Sequence, residues 1–151
     1  MSCSELKGKI IEHCNDIFRR KQTLINEELK HLSEAIEEDT KSSAGDKYET
    51  GREMANLEKE KLHIQAVGIK NSLATLTALP KGISSKIDVG SLVQTNKDWI
   101  HLSISLGQLE VDGESVLVIS PMAPLAQLMM GKEKGAAVTF RENEYQIVGI
   151  C

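Results

Sequence analysis

Aromatic residues are scarce in this 151-residue chain, where one Trp, two Tyr and two Phe make up 3%. Any core is therefore mostly aliphatic. No stretch approaches the roughly 18 consecutive apolar residues of a membrane span, and Met1-Ser2-Cys3-Ser4-Glu5 lacks the basic-then-apolar pattern of a secretory signal. The expected setting is cytoplasmic, with no membrane partner. Cysteine is sparse too. Cys3, Cys14 and Cys151 are odd in number and lack metal-ligand spacing, which argues against a disulfide framework. Cys14 is expected in the core, and Cys3 and Cys151 in frayed ends. A basic excess is also missing. Residues 1–80 carry 12 basic and 14 acidic side chains and residues 81–151 carry 6 and 8, so each part contributes −2 to the net −4. Strong direct DNA binding needs the opposite sign.

What the chain does have is a switch of hydrophobic period near Pro80. Before it, Tyr48, Ala55, Leu62, Ile69 and Leu76 recur every seven residues, with Ala66 and Leu73 supplying the offset line. That is the seam of a coiled coil. An earlier stretch answers with Ile10, Cys14, Ile17 and Leu24, then Ile25, Leu29, Leu32 and Ile36, at spacings of three, four and seven. Thr40 to Asp46 offers no large apolar residue and reads as the turn. Residues 1–80 are thus expected to form an antiparallel helical hairpin with its tip near 40–47. Arms of roughly 30–35 residues would reach about 45–50 Å at ~1.5 Å per residue.

After Leu79-Pro80-Lys81-Gly82 the pattern shortens. Ser91–Gln94 suits a short strand, Asn96-Lys97-Asp98 a turn, and Ile100, Leu102, Ile104 and Leu106 alternate with His101, Ser103 and Ser105 as in a half-buried strand. Leu109 and Val111 lead to a tight turn at Asp112-Gly113, and Val116-Leu117-Val118-Ile119 fits a central strand. A short helix follows, with Pro124 in its first turn, Leu125, Leu128 and Met129 facing inward, and Gly131 ending it. Ala137–Phe140 and Tyr145–Ile150 close a hairpin around Glu142-Asn143. Residues 81–151 are expected to be an α+β domain, an antiparallel sheet on one helix.

Charge along the hairpin is uneven. Glu34, Glu37, Glu38, Asp39, Asp46, Glu49 and Glu53 crowd the turn against Lys41, Lys47 and Arg52, whereas the start of the first helix carries Lys7, Lys9, Arg19, Arg20 and Lys21. Two readings fit: solvated helix faces with acids favouring the second helix's N-terminus, or an acidic tip with a function. His13, His31, His63 and His101 have no Ser or Cys partner by pattern, so nucleophilic catalysis finds no support.

The run Ser120-Pro121-Met122-Ala123-Pro124-Leu125-Ala126-Gln127-Leu128-Met129-Met130-Gly131-Lys132, followed by Gly135, Val138 and Tyr145-Gln146-Ile147-Val148-Gly149-Ile150, resembles the C-terminal domain of the bacterial Gre transcription elongation factors. In that family a Ser-Pro pair, six residues and Gly-Lys precede the last two strands. Here Pro124 keeps the six-residue spacing to Gly131-Lys132, with Ala123 in the Ser position. Tyr48, Arg52 and Glu53 similarly resemble the segment after the family's hairpin turn. Together with the hairpin-then-sheet order, the resemblance covers nearly the whole chain.

The resemblance implies an N-terminal coiled coil and an FKBP-like C-terminal domain that docks beside the secondary channel of RNA polymerase. Nucleic acid would be met only indirectly, inside the elongation complex. It implies that two tip acids help hold a Mg²⁺ shared with the polymerase, which then cuts a backtracked transcript, so the factor is neither an autonomous enzyme nor the owner of a cofactor. Docking maps onto Ser120, Pro121, Pro124, Gly131 and Lys132, although Pro124 and Gly131 also have purely structural roles as helix start and stop. In the register that keeps Tyr48, the family's tip acids fall on Lys41 and Ala44, which cannot hold a metal. A shifted register offers Asp46 and Glu49, three apart on one helical turn. Asp46 also suits a helix cap. A cleavage factor, a channel-occupying regulator or inhibitor, and a plain interaction module therefore all stay open. Prolyl isomerisation is disfavoured, because residues 81–151 hold only Trp99, Phe140 and Tyr145 as aromatics.

Overall fold

The computed structural model describes the backbone of residues 2–41 and 45–151, with the side chains of these residues apart from 39–41 and 45–48. Two long helices, α1 (Cys3–Lys41) and α2 (Gly45–Thr77), precede β1 (Leu92–Thr95), β2 (Trp99–Leu102), β3 (Gly107–Val111), β4 (Glu114–Ile119), α3 (Pro124–Met129), β5 (Ala137–Phe140) and β6 (Asn143–Ile150). This is the α+β order expected from the sequence. Residues up to Asn15 together with Ala74–Cys151 make one compact unit, and Asp16–Leu73 a second. The expected turn at the tip lies mostly outside the described residues.

α1 starts on a capping box. The Glu5 N–H donates to Ser2 Oγ at 3.2 Å and the Ser2 N–H to Glu5 Oε2 at 3.1 Å, satisfying donors that the first turn leaves unpaired. Its buried residues are Leu6, Ile10, Cys14, Phe18 and Ile25, not quite the expected set. Steps of four residues advance the stripe about 40° past each full turn, so by the fourth turn Phe18 has taken the inner position. Leu24 stands 59% exposed, correcting its assignment to the seam.

In the second unit the two helices run antiparallel. Phe18, Leu24 and Ile25 line a groove with Gly68, Ile69 and Ser72, while Glu28, His31, Leu32 and Ala35 line another with Glu58 and Leu62, so α1 numbers rise as α2 numbers fall. The heptad line of α2 is the seam: Leu62 and Ile69 are buried, and Ala55, Ala66 and Leu73 partly so.

The first unit is built on a six-stranded sheet in the order β3-β4-β2-β1-β6-β5. All neighbours are antiparallel except β2 and β4, which run parallel with Ile100 opposite Leu117 and His101 opposite Val118. That parallel pair corrects the expectation of a wholly antiparallel sheet. The chain can make it because the β3–β4 hairpin, turning at Asp112 (φ 49°) and Gly113 (φ 79°), carries β4 back alongside β2. One face of the sheet (Val93, Ile100, Leu102, Ile147) packs with Leu125, Ala126 and Met129 of α3 and with Ile87. On the other face Leu92, His101, Val116 and Val118 are also fully buried. Residues 100–106 are therefore not a half-buried strand: β2 ends at Leu102, and His101 and Ser103 are as buried as the aliphatics beside them. The closing hairpin turns at Arg141 and Glu142, both at positive φ, one residue earlier than expected.

Two further corrections concern ends. Cys3 and Cys151 are joined by a disulfide across a sequence separation of 148; they are not frayed. Cys151 exchanges both backbone hydrogen bonds with Leu92, at 2.8 and 2.9 Å, which extends the β1–β6 ladder and fixes its side chain for bonding to the first turn of α1. Cys14 is buried as expected, and desolvation pushes its thiol up to about 11.

Gly90 enters β1 at φ +87° and donates its N–H to the Leu102 carbonyl at 2.7 Å. A Cβ there would meet Pro80 Cδ at 3.3 Å. Gly90→Ala is expected to cost about 1–2 kcal/mol in a urea titration, through the left-handed backbone more than through the contact; an unshifted midpoint would contradict this.

Candidate functional site

The segment that carries the family-like motif leaves the end of β4 and folds on its own polar groups. Ser120 closes a turn: its Oγ accepts the Met122 N–H at 3.1 Å and its carbonyl the Ala123 N–H at 3.0 Å. Ala123 then takes an extended N-cap conformation without a side-chain cap, and Pro124 occupies the first turn of α3, where its missing N–H costs nothing. Gln127 staples the turn to the helix, donating Nε2 to the Pro121 carbonyl at 2.6 Å.

α3 buries Leu125, Ala126 and Met129. Leu128, expected inside, is 45% exposed instead, and Ala126 takes the inner place. At about 100° per residue, 125, 126 and 129 share one face while 124, 127 and 128 share the other. Beside them Met122 is 79% exposed. Met122 beside the turn and Leu128 on α3 thus both present apolar side chains to solvent.

Of the five residues expected to bind a partner, the structure brings Ser120, Pro121 and Pro124 together in this turn. Gly131 and Lys132 lie past the other end of α3. Gly131 takes φ +79° and donates to the Ile87 carbonyl at 2.8 Å, while the Lys132 carbonyl accepts the Ile87 N–H at 2.9 Å. Their backbone thus ties α3 to the 86–88 segment, and the Lys132 side chain remains exposed. The large hydrophobic side chains exposed in this segment are Met122 and Leu128. The sequence did not single out Leu128, because i, i+3 and i+4 share a helix face and 125, 128 and 129 therefore read together as inward; the burial of Ala126 is what turns the face by enough to expose Leu128.

Of the tip acids, Glu49 is exposed on α2, and the Asp46 side chain lies outside the described residues. Exposed Glu34, Glu37 and Glu53 share the tip half of the second unit. Among the described residues no three His, Cys, Asp or Glu side chains form a metal-holding group, and no helix is long and apolar enough to cross a membrane.

No family model matches the chain, and no curated protein matches it. Among solved structures it is similar to GreA factor homolog 1 (Gfh1) of Thermus thermophilus, with 18% identity over 91% of this chain and 94% of that one at a TM-score of 0.39. It is likewise similar to a structure of the transcription factor Gfh1, with 18% identity over 91% and 92% at 0.38. Gfh1 of Thermus aquaticus gives 16% over 92% and 94% at 0.39.

Proposed function

We propose that this protein is a Gre-like regulator of transcription elongation that binds RNA polymerase at its secondary channel and has no catalytic activity of its own. The observation that carries the reading is the Ser120–Lys132 segment. Its family-like residues fold as a self-stapled turn, a short helix and a glycine exit, and they hold Met122 and Leu128 outward for docking. The antiparallel helix pair supports it as a probe, since the stretch of α2 from Gly45 to Leu73 spans about 40 Å at 1.5 Å per residue.

Regulation by occupying the channel is favoured over transcript cleavage, because Lys41 and Ala44 stand where the family's register places its acids. Asp46 and Glu49 offer two carboxylates on one helical turn. That is part of an octahedral shell at most, so any Mg²⁺ chemistry would belong to the polymerase, with these acids adding charge beside its metal. A cytoplasmic setting goes with such a partner.

The test is a stalled, backtracked elongation complex given the native protein, Met122→Asp/Leu128→Asp, or Asp46→Ala/Glu49→Ala. Burying a carboxylate in an apolar contact should weaken binding at least about tenfold for the docking variant. Altered elongation without faster cleavage would establish the regulator. Stimulated cleavage that disappears in the tip variant would establish the Asp46–Glu49 pair instead. Absence of binding would overturn the reading altogether.

A further inference from the structure

The three cysteines occupy three different environments. Cys3 is the first helical residue of α1, directly after the capping Ser2, and is partly exposed. Because Ser2 Oγ takes the Glu5 N–H, the amides left without an intrahelical acceptor include those of Cys3 and Ser4, at the positive end of a 39-residue helix. That position favours thiolate over thiol. The carboxylate of the same turn, Glu5, is drawn back onto the Ser2 N–H at 3.1 Å, while Lys7 follows one turn after Cys3 on the same face of the helix. Cys151 differs on each count. It is 4% exposed, held by two backbone hydrogen bonds to Leu92, and its Cα lies 6.1 Å from that of Cys3. Cys14 is buried and outside the bond.

We propose that Cys3 is a modification site for hydroperoxides and Cys151 its resolving thiol, so that the disulfide is a reversible product of oxidation. A bond between cysteines that meets thiol-reducing surroundings is most often of this transient, sensing kind, and such sensors pair an accessible thiolate with a second cysteine poised beside it. Here the two roles fall to different residues. The Cys3 thiolate attacks the peroxide, forming an S–O bond and breaking the O–O bond, and the departing alkoxide or hydroxide takes a proton from water. Cys151 sulfur then attacks Cys3 sulfur. The S–S bond forms, the S–O bond breaks, and the hydroxyl leaves as water with the Cys151 proton. In sum two thiols give up two electrons and two protons, and the hydroperoxide becomes an alcohol, or water, and a further water. Reduction runs through the same exposed sulfur: an external thiolate attacks Cys3 and buried Cys151 is released as the thiol.

The experiment exposes the reduced full chain, freed of reductant and held with a chelator, to hydrogen peroxide, and follows each cysteine by alkylation and peptide mapping. The Cys3 thiol should be lost at least about threefold faster than that of free cysteine at neutral pH. A thiolate fraction raised from a few per cent to about half outweighs the lower nucleophilicity of the weaker base. The early product should be the Cys3–Cys151 bond, reopened by dithiothreitol. In Cys151→Ser oxidation should halt at the Cys3 sulfenic acid, which dimedone captures, whereas Cys3→Ser should give no adduct at the same exposure. Circular dichroism shows whether each variant is folded, and the rate and site map of the native chain decide the matter if one is not. A smaller acceleration at Cys3 overturns the proposal. So does a dimedone adduct on Cys14 or Cys151 ahead of Cys3.

Discussion

Cys3→Ser should lower the stability of the protein by about 2–5 kcal/mol, and its melting temperature by about 5–15 °C. The disulfide it removes closes a sequence separation of 148 residues, near the long end for which the chain-entropy model gives about 5 kcal/mol; strain and residual structure in the unfolded chain bring measured values down to about 2. The bond also joins two segments that are already positioned, the capped first turn of α1 and the Cys151 end of the β1–β6 ladder. Its removal should therefore loosen the attachment of α1 without dissolving the sheet. Dithiothreitol acting on the native protein should give the same midpoint as Cys3→Ser, because two-electron reduction leaves two thiols and no bond. Exchange with Cys14 does not complicate the result: only a thiolate attacks a disulfide, and Cys14 is buried with its thiol pushed up to about 11. Equal midpoints for native protein and Cys3→Ser without reductant would refute the prediction. Cytoplasmic thiol pools keep most such bonds open, so the reduced form is the relevant one wherever the cell's reductants reach this pair.

The second expected result is loss of stability in mild acid, traced to His101. This side chain is fully buried in β2, with Nδ1 at 2.9 Å from Ser103 Oγ and, among the described residues, no hydrogen-bond partner for Nε2. Desolvation first, and the Lys7 charge second, hold its pKa down at about 4, against a smaller upward pull from the nearby Gly90 backbone. His101 is therefore neutral in the fold, while in the unfolded chain it takes up a proton near pH 6.5. Protonation then favours the unfolded state as pH falls from about 6.5 to about 4, at up to about 1.4 kcal/mol per pH unit and roughly 3 kcal/mol in all. Above pH 7 the contribution is fully present; below about 4 both states are protonated and it falls no further. Urea titrations of the native protein and of His101→Gln, neutral at every pH, should diverge in slope across that window. Parallel curves would show that His101 is already charged in the fold, or free to reach water.

Much of this architecture is legible in the residues, and the failures have local causes. The α2 seam was visible because heptad spacing sustained over about four turns leaves little freedom: Leu62, Ile69 and Leu76 are all buried. α1 was harder, since steps of four let the buried line wind from Cys14 to Phe18 and carry Leu24 into solvent. The polar residues of 100–106 looked like an outward face, and only a sheet covered on both sides explains why His101 and Ser103 are inside. The parallel β2–β4 pair is long-range and leaves no mark on period. The disulfide leaves none either, because a pairing across 148 residues follows from tertiary placement alone. At the candidate docking site, Pro124 and Gly131 announced the bounds of α3, and the sequence placed the right segment at the surface while choosing the wrong side chain of the pair Ala126 and Leu128.

The bond between Cys3 and Cys151 also changes what kind of object the chain is. Between those residues the backbone is a ring, and a single proteolytic cut within it opens the ring without releasing a fragment. Cleavage between α1 and α2 would leave both helices on one molecule heavier only by the water consumed, under non-reducing conditions, separable only when a thiol is added. Two cuts would be needed to shed a piece. In oxidising surroundings, then, the first cut is silent.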